Sequence, residues 1–290
     1  ILLPEWDWRS RVLKPDFCSL QVMQARDATP SPLPPHLRQP AKRLKNQFSA
    51  LNPARRWQKA QVDGTEADID ACVRLRADRL AGVRAVADVY RSQTRPERDL
   101  ACLILADLSL STDAWVSDGQ RVIDVIRDSL LLFGEALTAT GDAFAFHGFS
   151  SVKRSHVRYH DIKSFASPFD AGARGRIAAL KPGYYTRMGA AVRHSRAMLE
   201  RRPESVRLLL ILSDGKPHDI DHYEGRYGIE DTRQALMDTR ASGIRPFCVT
   251  IDREGAGYLG HLFGAGGYTV LRRPEDLPQR LPQLYAGLTS

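Results

Sequence analysis

The sequence predicts an α/β fold, Rossmann-like in its layering, with a mostly parallel central sheet flanked by helices and an irregular and helical extension ahead of it. Three observations predict it. Apolar runs of strand length recur from Asp99 onward, stretches of helical period alternate with them, and the first run, Leu100-Ala-Cys-Leu-Ile-Leu-Ala106, is apolar throughout. A continuously apolar strand is buried on both faces, which requires helices on both sides of its sheet.

The elements follow in order. Residues 28–40 carry five prolines and read as an extended connector, because proline removes a backbone donor and fixes φ. Residues 41–60 hold Lys42, Arg43, Lys45, Arg55, Arg56 and Lys59 and no acid, and Asp63, Glu66, Asp68 and Asp70 follow. Charge blocks of this kind form solvated or docking faces. From Ala67 to Arg91 the spacing of Ile69, Val73, Leu80, Val83 and Val86 predicts a helix. After the strand at 100–106, Val122, Ile126, Leu130, Phe133 and Leu137 mark an amphipathic helix. Further strands are expected at 142–149, 156–163, 206–213, 245–251 and 267–271, with helices at 188–201, 229–242, 275–287 and a short one near 257–264. Residues 1–97 are thus expected to form an extension packing on a domain at 98–290.

Composition narrows the functional classes. Of 290 residues 43 % are hydrophobic and 26 % charged, which is ordinary globular usage and excludes a disordered or fibrous chain. The longest clean apolar run, Leu208–Leu212, is far short of the roughly 20 residues of a membrane span. The chain begins at Ile1 without a basic-then-apolar leader, as expected of a fragment of a longer protein rather than a secretory precursor. Cys18, Cys72, Cys102 and Cys248 show no C-x-x-C spacing, so a reducing, cytoplasmic setting without structural zinc is expected. The net charge of +8 favours an acidic partner.

Two strands end in oxygen-bearing clusters. The first runs into Asp107-Leu-Ser109-Leu-Ser111 and the strand at 206–213 into Ser213-Asp214-Gly215. Parallel strands end on one edge of the sheet, so Asp107 and Asp214 converge if the strands are neighbours. Hard oxygen donors without His or Cys suit Mg²⁺, or Mn²⁺, rather than zinc.

This arrangement resembles the metal-ion-dependent adhesion site of von Willebrand factor A domains. That pattern is Asp-x-Ser-x-Ser after the first strand, a Thr in a later loop and an Asp after the fourth strand. The resemblance points to Thr186, just ahead of the helix before the fourth strand. It implies that Ser109, Ser111 and Thr186 bind a metal through neutral hydroxyls while Asp107 and Asp214 hold its waters, leaving a position for a partner's carboxylate. The alternative is that these residues merely cap helices and turns.

Four further segments, Pro4–Asp7, Asp63–Ala71, Tyr185–His194 and His222–Arg233, resemble the carboxy-terminal part of NorD-type nitric-oxide-reductase activation proteins and, less closely, CbbO-type rubisco-activase subunits. The resemblance implies a non-enzymatic adaptor that works beside a hexameric MoxR-type AAA+ ATPase. Its target, nitric-oxide reductase or alternatively rubisco, would offer an Asp or Glu carboxylate.

Other signals compete. Gly255-Ala-Gly-Tyr-Leu-Gly260 fits G-x-G-x-x-G, but it lies near the chain end rather than after the first strand. No G-x-x-x-x-G-K-[ST] occurs, so ATP hydrolysis belongs to a partner. His218-Asp219-Ile-Asp221-His222 is read as a rim or partner-contact loop, with transition-metal binding as the sharper alternative. Phe48 and Trp57 in the basic segment make nucleic-acid stacking conceivable, but a protein-docking face is the favoured reading. The rival class is a magnesium- or nucleotide-dependent enzyme using the same strand-end site.

Overall fold

The computed structural model describes residues 1–25, 28–50, 56–84, 86–94, 98–117, 119–251, 256–271 and 273–289. The chain divides into two compact units, Ile1–Ser49 with Asp99–Ser290, and Ala50–Arg98.

In chain order the larger unit begins with β1 (Leu2–Asp7), β2 (Val12–Met23) and α1 (Pro35–Ser49). The smaller unit supplies β3 (Arg56–Gln61), β4 (Glu66–Ala67), α2 (Ile69–Leu80) and β5 (Tyr90–Thr94). The larger unit then resumes with β6 (Leu100–Asp107), β7 (Trp115–Ser117), β8 (Gln120–Arg121), α3 (Val122–Thr140), β9 (Ala143–Val152) and β10 (His156–Lys163). It continues through α4 (Ala171–Ala178), α5 (Met188–Glu200), β11 (Val206–Ser213), α6 (Arg226–Ala241), β12 (Ile244–Thr250), α7 (Ala256–Phe263), β13 (Tyr268–Val270) and α8 (Leu277–Thr289).

Eight strands form one sheet in the order β1-β2-β10-β9-β6-β11-β12-β13. Strands β9, β6, β11, β12 and β13 run parallel, and β10 returns antiparallel beside β9. From Asp99 onward the strands therefore lie in the doubly wound order three-two-one-four-five-six, and the winding reverses between β6 and β11. Every residue of β6 is buried, as its uninterrupted apolar run requires. Along α3, Val122, Ile126, Leu130, Phe133 and Leu137 all face the core, and Gly141 ends the helix at φ 76°. Burial of one such large apolar side chain contributes roughly 1.5–3 kcal/mol. Cys18, Cys102 and Cys248 are buried thiols, whereas Cys72 on α2 is partly exposed.

Most of the expected strands and helices beyond residue 99 are present with bounds close to those expected. The N-terminal segment differs. Instead of irregular structure, residues 2–23 form two strands that complete the sheet, with β2 running parallel to β10. Cys18 and Leu20 point into the core, while polar neighbours face outward. The proline-rich connector expected over 28–40 gives way at Pro35 to α1, although Pro40 lies within that helix. Proline at a helix start costs little, because its missing N–H would be unpaired there anyway. The missing bond at Pro40 is offset by the stripe Leu37, Ala41, Leu44 and Phe48, which is buried. Phe48 stacks on Tyr285 at 5.8 Å and meets Phe133 edge-on at 6.3 Å.

The smaller unit is a three-stranded antiparallel sheet, β3-β5-β4, with α2. Asp68 caps α2 by accepting from the Ala71 N–H. The helix expected to run to Arg91 stops at Leu80, because Gly82 takes the left-handed conformation at φ 74°. Its apolar residues Ile69, Val73 and Leu80 are exposed. Arg55 of the basic segment lies outside the described residues.

Candidate metal centre

Strands β6 and β11 are parallel neighbours, with Ala106 opposite Leu212, so their ends emerge side by side. Asp107 ends β6 and is fully buried. Its Oδ1 accepts from the Ser109 backbone N–H at 2.9 Å and its Oδ2 from the Ser213 hydroxyl at 3.1 Å. Thr186 adds a side-chain hydrogen bond to the same carboxylate. The Ser109 and Ser111 hydroxyls are 2.9 Å apart, and Ser111 donates to Asp214 at 2.9 Å. The five sequence-predicted residues, Asp107, Ser109, Ser111, Thr186 and Asp214, therefore form one hydrogen-bonded group at the point where the winding reverses.

Backbone bonds fix the loops that carry them. Leu110, between the two serines, donates to the Tyr184 carbonyl at 2.9 Å, and Gly183 donates to the Leu108 carbonyl at 2.8 Å. Tyr185 pairs with Ser151, and Thr186 pairs with His218 in both directions, at 2.7 and 3.0 Å. Thr112 closes the first loop by donating to the Ser109 carbonyl. Such stitching holds the hydroxyls in place before any ligand arrives.

Burial pushes the Asp107 carboxyl up to about 6, even though the hydrogen bonds from Ser109, Ser213 and Thr186 oppose the shift. The partners that offset its charge are thus neutral donors. Two hydroxyls in mutual contact, a third on a neighbouring loop and two carboxylates behind them make an all-oxygen donor set, which fits a hard divalent cation. Ser213, which the sequence pairs with Asp214 as a strand-end support for the metal, holds Asp107 through its hydroxyl. Its signal was the Ser-Asp-Gly run itself.

The His218–His222 segment behaves differently from the expected rim. His218 and His222 are exposed, but Asp219 is fully buried and Asp221 largely so. Both carboxylates bond the guanidinium of Arg187, which also binds Glu5 from β1. Asp219 additionally accepts from the Lys153 N–H at 2.9 Å and Asp221 from the Arg154 N–H at 3.0 Å. Arg187 is itself 1 % exposed and lies over the Tyr223 ring at 4.2 Å. Burial works against its charge, but the Glu5 carboxylate and its other neighbours keep the guanidinium more firmly protonated than usual. Among the described residues no cluster of three or more His, Cys, Asp or Glu is placed to hold a metal ion, so the two aspartates here serve an ion-pair network.

A second buried pair continues that network. Arg193 bonds Asp231, which also accepts from the Tyr223 hydroxyl at 2.7 Å and the Trp6 N–H at 2.8 Å. The chain approaches so closely here that a Cβ on Gly189 would lie 2.0 Å from Asp231 Oδ2. Of the glycine motif near the end, Gly255 lies outside the described residues, while Gly257 and Gly260 sit inside α7 rather than in a turn ahead of it.

No protein-family model matches the chain. It is 51 % identical to an uncharacterized protein of Pseudomonas aeruginosa over 99 % of this chain and 47 % of that protein. It is 50 % identical to the protein NorD of Stutzerimonas stutzeri over 95 % of this chain and 45 % of that one. For the protein NorD of Brucella abortus the identity is 44 %, over 97 % of this chain and 44 % of the relative. The chain thus spans about half the length of the curated relatives it matches. Among solved structures, the PilB minor pilin of Streptococcus sanguinis aligns with a TM-score of 0.54 at 14 % identity, over 68 % of this chain and 63 % of the pilin. The pilus adhesin SpaC of Lactobacillus rhamnosus GG gives 0.50 at 14 % identity, over 66 % of this chain and 30 % of the adhesin. These likenesses concern the fold alone. The chain is homologous over nearly its whole length to part of the NorD proteins, and it shares with these pilus proteins the fold of a mostly parallel sheet flanked by helices.

Proposed function

We propose that the chain is a metal-dependent protein-binding adaptor. The supporting observation is the convergence of Asp107, Ser109, Ser111, Thr186 and Asp214 from three loops onto one hydrogen-bonded group. In this reading the hydroxyls of Ser109, Ser111 and Thr186 hold Mg²⁺ or Mn²⁺, and Asp107 and Asp214 orient its waters. Neutral ligands leave the ion's charge largely uncompensated, so it supplies an electrophilic position for an Asp or Glu carboxylate of a partner. The backbone bonds of Leu110 and Thr186 keep that position open in one geometry.

The homology to NorD proteins supports nitric-oxide reductase as the target. The resemblance further implies that a MoxR-type AAA+ ATPase supplies the driving force, with this chain transmitting it through the metal-mediated contact. No turnover is assigned to the chain. Asp107, whose carboxyl burial pushes up to about 6, is engaged by hydroxyls and a backbone N–H, which leaves it poorly placed as a general base.

A pull-down from native extract, run in Mg²⁺ and in EDTA with the wild-type chain and with Thr186→Ala and Asp107→Asn, tests the reading. Retention of an ATPase and a reductase subunit in Mg²⁺, with the reductase lost in EDTA and in both variants, is expected. Folded variants that retain the target as the wild type does would overturn it.

A further inference from the structure

A pocket of about 250 Å³ lies against the loop that carries Thr186, and its lining includes Ser150, Arg158, Asp161, Arg176, Lys181 and Tyr184. Its link to the candidate metal centre is direct. Tyr184 lies two residues before Thr186, a distance of roughly 7 Å along an extended chain. The carbonyl of Tyr184 accepts from Leu110, the residue between the two site serines. Ser150 precedes Ser151, which pairs with Tyr185 on the other side. Pocket and metal centre therefore share one wall.

The pocket is cationic. Arg158, Arg176 and Lys181 face a single acid, Asp161, which accepts from Gln24 at 2.9 Å and has His147 Nδ1 at 3.6 Å. Arg176 donates to the Ile162 carbonyl. Among the described residues neither Arg158 nor Lys181 takes part in an ion pair. The Arg158 guanidinium lies 4.0 Å from the centroid of the Tyr184 ring, so stacking holds its plane while its N–H edges stay available for a carboxylate. Tyr184 is held at φ 70°, a left-handed conformation that disfavours residues with a side chain and that recurs at binding sites.

We infer that this pocket is a second anchoring point for an acidic peptide segment whose first carboxylate is held at the metal centre. The inference rests on the proposed metal-dependent adaptor. Alternate residues of an extended peptide lie about 7 Å apart and point to the same side. A second Asp or Glu two positions from the metal-bound carboxylate thus matches the Thr186-to-Tyr184 spacing, and Arg158 and Lys181 select for it.

Fluorescein-labelled Gly/Ser peptides carrying one Glu, or two Glu two positions apart, test this by anisotropy with the full chain in Mg²⁺ and in EDTA. The one-Glu peptide is expected to bind in Mg²⁺ alone, and the two-Glu peptide about three- to tenfold more tightly, as two largely exposed ion pairs allow. In the Arg158→Gln/Lys181→Gln variant the two peptides should bind equally, at the one-Glu affinity of the wild type. Lys181 is exposed, so Lys181→Glu serves as a variant that keeps the fold, and it should weaken the two-Glu peptide alone. Equal affinity of the two peptides for the wild type, or a gain that survives in the double variant, overturns the second anchor while leaving the metal centre intact. Failure of the one-Glu peptide to bind in Mg²⁺ overturns the metal-dependent reading itself, and the anchor with it.

Discussion

Two buried acidic groups begin one residue apart, at Thr186 and Arg187, and their charges are offset by opposite means. Glu5, Asp219 and Asp221 surround a guanidinium that the chain supplies itself. Asp107 meets hydroxyls and a backbone N–H, and its carboxyl is pushed up to about 6 by burial. The first group is complete within the protein and fastens β1 to the start of α5 and to the loop after β11. The second retains a charge demand that a cation from outside can meet. The difference separates a structural cluster from the proposed metal site, although a sequence shows both as acids in loops.

Removing the internal cation should have the largest effect. Arg187→Met strands buried carboxylates without their partner, and a loss of about 3–5 kcal/mol in chemical denaturation is expected. A smaller loss would mean that the buried acids of the first cluster do not depend on the guanidinium, erasing the contrast.

His147 is a buried group intermediate between the two. Burial lowers its pKa to about 4, against the pull of Asp161. The unfolded chain takes up this proton near the ordinary histidine value of about 6.5 and the folded chain only near 4. Its stabilising contribution is therefore full at neutral pH and is lost as the pH falls across that window, by about 3 kcal/mol. Denaturation of wild type and His147→Leu at pH 7 and pH 4 should show the acid loss shrinking by that amount in the variant.

Magnesium should then stabilise the second cluster alone. At a hundredfold excess over its dissociation constant, a ligand of the folded state adds about 2.7 kcal/mol. Wild type should gain this in thermal unfolding, whereas Asp107→Asn and Thr186→Ala should not. Arg187→Met, to the extent that it folds, should keep the gain. An equal response of Asp107→Asn would show that the cation sits elsewhere.

At the bottom of the scale, Arg196→Gln removes an exposed pair with Glu200 one helical turn away and should change stability by under about 0.5 kcal/mol. This sets the size of an ion pair that lacks burial, against which the effect at Arg187 can be judged.

The centre of the doubly wound sheet was legible in the sequence because β6 and β11 are apolar on both faces, whereas β10 was legible through the alternation of Val157, Tyr159 and half-exposed polar residues. Asp107, Ser109, Ser111 and Asp214 were legible for a related reason, since each follows an apolar strand where a polar residue stands out, whereas Thr186 was reached only through the family resemblance. The strands β1 and β2 were not, because Lys14, Pro15 and Asp16 interrupt their alternation and only Cys18 and Leu20 carry the inward face. Helix α1 was hidden by Pro40, whose local cost is outweighed by tertiary burial of Phe48 and its neighbours. The Arg187 cluster was invisible because its acids are 182, 32 and 34 residues distant along the chain. Charges in loops read as solvated until the fold brings them together.

The thiols carry a practical consequence. Burial raises the pKa of Cys18, Cys102 and Cys248, and Glu5 adds to the effect at Cys18, so at neutral pH these three stay protonated and shielded from alkylating reagents and peroxide. Cys72, partly exposed on α2, is left as the reactive sulfur. A maleimide dye should attach there first, placing a single reporter in the 50–98 unit and leaving the strand-end site chemically untouched.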